Sequence, residues 1–147
     1  MFNFSENSMQ KLRSCHKDLQ RIAIAAIQRT EVDFGIAEGY RSIEKQQELF
    51  EAGKTTIDGV KEKSKHNYKP AMAFDIFIYH PKSSIRKKIA NDPATICYVA
   101  GILRACSEDL LQRGVISHRL RWGGNINENG VIEQGQSLNS LIHFEIL

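Results

Sequence analysis

With 147 residues, 41% of them hydrophobic and 25% charged, the chain can fill one core but is too short for two comfortable domains, so residues 1–147 are read as a single domain. The net charge of +3 is mildly basic and favours anionic surfaces; yet no basic stripe with interleaved aromatics of the kind that binds nucleic acid is present, and the densest cluster, Arg86-Lys87-Lys88, reads as a solvated face. No apolar run approaches the roughly 20 residues that cross a bilayer, residues 1–7 have neither a charged nor an apolar signal region, and Cys15, Cys97 and Cys106 form no CxxC pair; reduced thiols and synthesis in the cytoplasm are therefore expected.

Residues 8–28 carry Met9, Leu12, Leu19, Ile22, Ala23, Ala26 and Ile27 at mostly three- and four-residue spacing, which predicts one amphipathic helix with Asn7 or Ser8 as its cap. His16 lies on it and reads as a solvated side chain. Phe34-Gly35-Ile36-Ala37 predicts a short strand, and Ser42 a cap for a second helix, Ile43 to Ala52, stopped by Gly53. Arg41 falls where that strand gives way to the helix, either facing a cleft or pairing at the surface with Glu38 or Glu44. Residues 54–65 read as a polar loop.

Ala71 to Tyr79 predicts a strand with Ala71, Ala73, Asp75 and Phe77 on one face and Met72, Phe74, Ile76 and Ile78 on the other. Asp92-Pro93 starts a helix that runs to about Gln112, and Gly114 stops it. Leu120-Arg121-Trp122 predicts a strand, residues 123–135 a Gly/Asn-rich loop, and Leu141 to Ile146 the last strand. The order predicts an α+β domain, a small, mainly antiparallel sheet packed with about three helices.

Three polar side chains in this framework could carry chemistry. Asp75, flanked by alanines and a phenylalanine, is expensive to bury without compensation by a metal ion or an arginine. His143 sits on an otherwise apolar strand, and His66 in the preceding loop. Singly, each histidine has an ordinary reading as an exposed or half-buried residue. Together, two imidazoles and a carboxylate are a set that holds a catalytic zinc with one position open, although their spacing is none of the compact helical metalloprotease motifs.

Ser64-x-His66, Ala73-x-Asp75 and His143-Phe144-Glu145, in that order, resemble the zinc D-alanyl-D-alanine carboxypeptidase family, and within it the phage endolysins that cut the L-alanyl-D-glutamate bond of peptidoglycan. Gly39-Tyr40-Arg41-Ser42 and Arg121-Trp122-Gly123-Gly124 are similar to two further stretches of that family, so the likeness spans residues 8–147. The resemblance implies zinc held by His66, Asp75 and His143, a substrate carbonyl or oxyanion held by Arg41, and a peptidoglycan stem peptide as partner. It implies a monomer that acts at the cell wall after the membrane has been permeabilised.

The family's general base is an Asp or Glu three residues before the last zinc histidine; here that position is Ser140, which predicts weak or absent turnover. Glu145 is the one obvious carboxylate nearby, and it matches a supporting glutamate of the family. Ile126-Asn127 stands where related endolysins carry Trp-Asp, leaving a loop with too little charge for calcium. The alternatives are a catalytically silent zinc module that binds wall peptides and a D-Ala-D-Ala carboxypeptidase.

Overall fold

The computed structural model describes all residues, 1–147. Its organising element is a four-stranded sheet of order β1-β2-β4-β3, with β1 Phe34–Glu38, β2 Ala73–Ile78, β3 Leu120–Trp122 and β4 His143–Ile146. All three pairings are antiparallel. The inner face of the sheet presents Phe74, Ile76, Ile78, Phe144 and Ile146 to a core completed by two helices, α2 (Lys17–Arg29) and α5 (Pro93–Gln112). The outer face carries the alternate residues, Asp75 among them. The predicted α+β class and sheet hold.

The helices number six, against about three expected from periodicity. The single helix predicted over 8–28 is two, α1 (Glu6–Arg13, capped by Ser5) and α2. Apolar spacing runs through the junction, so the break is invisible to periodicity; its cause is tertiary. The Ala71 carbonyl accepts from His16 N at 2.9 Å and the Ser14 carbonyl accepts from Ala71 N at 2.9 Å, which diverts backbone groups that a continuous helix would use. His16 then caps α2 by accepting a hydrogen bond from Asp18 N at 3.0 Å on its ring Nδ1.

α1 covers the edge of β1, where Ser8 Oγ accepts from Ile36 N at 3.1 Å. α3 (Ile43–Glu51) is capped by Ser42 as predicted. α4 (Ser83–Ile89) buries no residue and so gives no periodic signal; the Arg86-Lys87-Lys88 cluster lies in its last turn. The last predicted strand begins later than expected, because Ser137 caps a one-turn helix, α6 (Leu138–Leu141), and Ile142 is still helical at φ −90°, ψ −5°. β4 therefore opens on His143.

The Trp122-Gly123-Gly124 turn joins β3 to this region through close backbone approach. A Cβ on Gly123 would lie 2.1 Å from the Ser140 carbonyl oxygen, and Trp122 Nε1 donates to the Leu141 carbonyl at 2.7 Å. Gly123→Ala is expected to lower stability by about 1–3 kcal/mol, since backbone and not a flexible side chain must give way. Urea denaturation read by Trp122 fluorescence checks it; an unchanged midpoint contradicts the packing described.

Candidate metal centre and peptidase groove

The sheet register assembles the site. Asp75 pairs with His143 on one side and with Glu38 on the other, so three adjacent strands set three polar residues side by side on the outer face. His66 enters from a short 3-10 turn, Lys65–Asn67, whose N-cap Ser64 accepts from His66 N and whose Asn67 Oδ1 accepts from Ser64 N at 2.9 Å.

Asp75 Oδ1 lies 3.2 Å from His66 Nε2 and 3.1 Å from His143 Nδ1. The outer hydrogen bonds decide what those nitrogens offer. His66 Nδ1–H donates to the Gly39 carbonyl at 2.7 Å, an acceptor only, so Nε2 of the neutral ring points its lone pair at Asp75. His143 Nε2–H donates to Glu145 Oε1 at 2.9 Å, and Arg121 holds the other oxygen of that carboxylate at 2.6 Å. Nδ1 of the neutral ring thus points its lone pair at Asp75 as well. Two lone pairs and a carboxylate oxygen facing one another repel unless a cation stands among them. Tetrahedral ligands at about 2.0–2.1 Å from an ion are roughly 3.3 Å apart, close to the observed spacing. The residues fit a divalent metal, with outer bonds of the kind that orient ligating histidines.

A second cluster, His16, Asp18 and His118, also brings its ligand atoms within 4.8 Å of one another. Its hydrogen bonds point the other way. His16 spends its Nδ1 lone pair on Asp18 N, which leaves a proton on Nε2 of the neutral ring. Asp18 Oδ2 is occupied by Ser117 N, His118 N and His118 Nδ1–H at 2.7–3.1 Å. This cluster ties the start of α2 to the approach of β3. His16 is thereby a cap and packing partner of His118, not the solvated side chain expected.

Electrostatics in the metal-free protein follow from the same contacts. Burial pushes Asp75 up, but hydrogen bonds with His143 and His66 outweigh it and hold the carboxyl well below the usual range. Burial pulls the His143 imidazole down, yet Asp75 and Glu145 outweigh it and raise it to about 9. Glu145, raised by burial and lowered more strongly by His143 and Arg121, comes to about 2.

Arg41 lies beside the cluster with its guanidinium on Glu38, on Gln46 Oε1 at 2.9 Å and 4.0 Å from Asp75 Oδ2. Both readings of this residue apply, since it pairs with Glu38 and also lines a cavity of about 460 Å³ with His66, Asp75 and His143. Ser140 lines the same cavity, its Oγ 3.1 Å from Ser137 Oγ. Glu145 does not line it; its carboxylate is committed to His143 and Arg121. In the 123–130 loop, Glu128 is paired with Arg119 and Asn125 Oδ1 accepts from Gly130 N at 3.1 Å.

A model of the phage L-alanyl-D-glutamate peptidase family matches residues 1–147, the whole chain. The chain belongs to that family. A peptidase of this kind is a hydrolase. The fold is similar to that of the Serratia marcescens L-Ala D-Glu endopeptidase ChiX, with a TM-score of 0.71, 20% identity, and coverage of 99% of this chain and 90% of that one. Comparison with curated proteins finds no match.

Three participants escaped the sequence reading. Gly39 acts through its carbonyl, and it must be glycine because a Cβ would lie 2.3 Å from the Lys11 carbonyl oxygen. Arg121 stands in one of the family-like stretches, but its bond to Glu145 needs the β3–β4 register. Gln46 is wholly buried; it accepts from Arg41 and donates to the Ile57 carbonyl at 2.9 Å, and a helix glutamine gives no signal of that role.

Two outcomes follow for the protein in solution. His143, raised from its ordinary value of 6.5 to about 9, stabilises the metal-free fold below about pH 6.5, and that contribution disappears as pH rises through 9. Asp75 and Glu145, both lowered, contribute above their ordinary values of 3.8 and 4.5 and lose that contribution as pH falls. Thermal melts without metal should therefore be best between about pH 5 and 6.5, whereas stabilisation by added zinc should grow from pH 6.5 to 9 because the ion needs the neutral ring. Glu145→Gln should weaken metal affinity about 10- to 100-fold, read by competition with a chelating dye; undiminished affinity contradicts its orienting role.

Proposed function

We propose that the chain is a zinc-dependent endopeptidase of the L-alanyl-D-glutamate bond in peptidoglycan stem peptides, with His66, Asp75 and His143 as the zinc ligands. The observation that carries the reading is the inward aim of two imidazole lone pairs at one carboxylate, enforced by Gly39 and Glu145. Zinc in that grip supplies Lewis-acid polarisation of a carbonyl and brings the pKa of water from about 16 toward about 7. Arg41 faces the cavity as the cation for the substrate carbonyl and its developing negative charge. Its bonds to Glu38 and Gln46 hold the guanidinium in place before substrate arrives. Glu145 keeps His143 in the required tautomer. The chain works as a monomer at the cell wall, after the membrane has been breached; no helix is long and apolar enough to cross one.

Ser140 occupies the place from which a proton acceptor would serve this reaction. Among the cavity-lining residues the one carboxylate is Asp75, already given to the metal. That observation favours a second reading, in which the chain holds zinc and a wall peptide and cuts slowly or not at all. The D-Ala-D-Ala carboxypeptidase alternative is disfavoured by the family to which the whole chain belongs.

Ser140→Asp is expected to raise release of amino groups from purified peptidoglycan by about 10²- to 10⁴-fold with zinc content unchanged. No gain in a zinc-loaded variant places the base elsewhere. Wild-type protein that sediments with sacculi but releases nothing supports the silent module. His66→Ala and His143→Ala should each lose the zinc, measured by metal analysis of protein purified without chelators; zinc retained by both removes the assignment.

A further inference from the structure

One charged side chain in the cavity has no part in the chemistry above. Lys54 lines it, together with Thr55 and Ile57 from the loop that follows α3. Arg41, the other cation there, is committed to Glu38 and Gln46. Lys54 is exposed and takes part in none of the chain's ion pairs, so its ammonium is available to a ligand.

The loop holding it is fixed relative to the metal centre. Lys54 N donates to the Leu49 carbonyl at 2.9 Å, and Ile57 N donates to Thr55 Oγ1 at 3.2 Å. The Ile57 carbonyl accepts from buried Gln46, whose other amide atom accepts from Arg41. Lys54 and Arg41 are thus tied to one scaffold. Thr55 Oγ1 accepts from Ile57 N and keeps its hydroxyl hydrogen for a further acceptor.

The substrate provides a matching anion. A glutamyl residue has two carboxyl groups, and a peptide continues through only one of them. Next to an L-alanyl-D-glutamate bond there is therefore a free carboxylate within one residue of the scissile amide. We propose that Lys54 pairs with this free carboxylate, with the Thr55 hydroxyl as a second donor, and so selects the glutamyl side of the peptide and sets its direction across the groove. The assignment rests on the endopeptidase reading and adds the residue that distinguishes the two sides of the bond.

The test uses two synthetic peptides containing the alanyl-glutamyl bond, one with the side carboxylate free and one with it as a primary amide. Binding to the zinc-loaded protein is measured by calorimetry and hydrolysis by amine release, for wild type, Lys54→Gln and Lys54→Arg. Wild type should bind the free acid on the order of tenfold more tightly, as expected for a hydrogen bond to a charged group. Lys54→Gln should bring the two affinities together, and Lys54→Arg should keep them apart. Added salt should narrow the wild-type difference. Equal affinities in wild type, or a preference that survives in Lys54→Gln, overturns the proposal. Hydrolysis without preference sinks Lys54 and leaves the peptidase; a Lys54-dependent preference without hydrolysis supports Lys54 and sinks the cutting. Neither peptide binding removes both.

Discussion

The cross-strand pairing of Asp75 with His143 is the constraint on which the rest of the site depends. It sets an acceptor oxygen against an imidazole, and the outer bonds to Gly39 and Glu145 decide that both rings, when neutral, turn lone pairs toward that oxygen. The result is a concentration of electron density that a proton or a metal must relieve. The second cluster, His16–Asp18–His118, shows that residue type alone does not produce such an arrangement. There, the carboxylate oxygen and one ring nitrogen are already spent on backbone N–H groups.

Around this centre the polar groups form a connected scaffold. Arg41 bridges Glu38 and Gln46, Gln46 reaches the loop carrying Lys54 and Thr55, and Asn67 Nδ2 donates to the Arg41 carbonyl at 2.9 Å. Buried polar atoms are costly unless satisfied, and Gln46 is satisfied at both ends of its amide. Such a network holds Arg41 and the loop after α3 in register with the His66, Asp75 and His143 cluster. Ser140 stands apart from it; its hydroxyl bonds only within its own helix turn, to Ser137.

Much of this could be read in the chain. Alternation along Ala71–Tyr79 puts Asp75 on the face opposite Phe74, Ile76 and Ile78, and those three are buried as expected. Asp92-Pro93 and Ser42 cap the helices they were expected to cap. What escaped has a physical cause in each case. The break at residues 14–16 comes from hydrogen bonds to Ala71, far away in the chain. α4 has no buried face to create periodicity. The single turn of α6 is shorter than the window in which helical spacing is detectable, and its effect is to start β4 at His143.

The sequence by itself determined the classes of element, the faces of the strands and the three residue types able to hold an ion, because hydrophobic period and local capping are encoded over a few neighbouring residues. It could not decide how those residues meet. Strand register and the orientation of the His66 imidazole depend on partners tens of residues away, a glycine carbonyl among them, and the glutamate that orients His143 is itself held by an arginine on another strand. Only the tertiary structure brings those partners within hydrogen-bond reach, and with them it separates a cluster whose donor atoms fit a metal from one of the same composition whose donors are spent elsewhere.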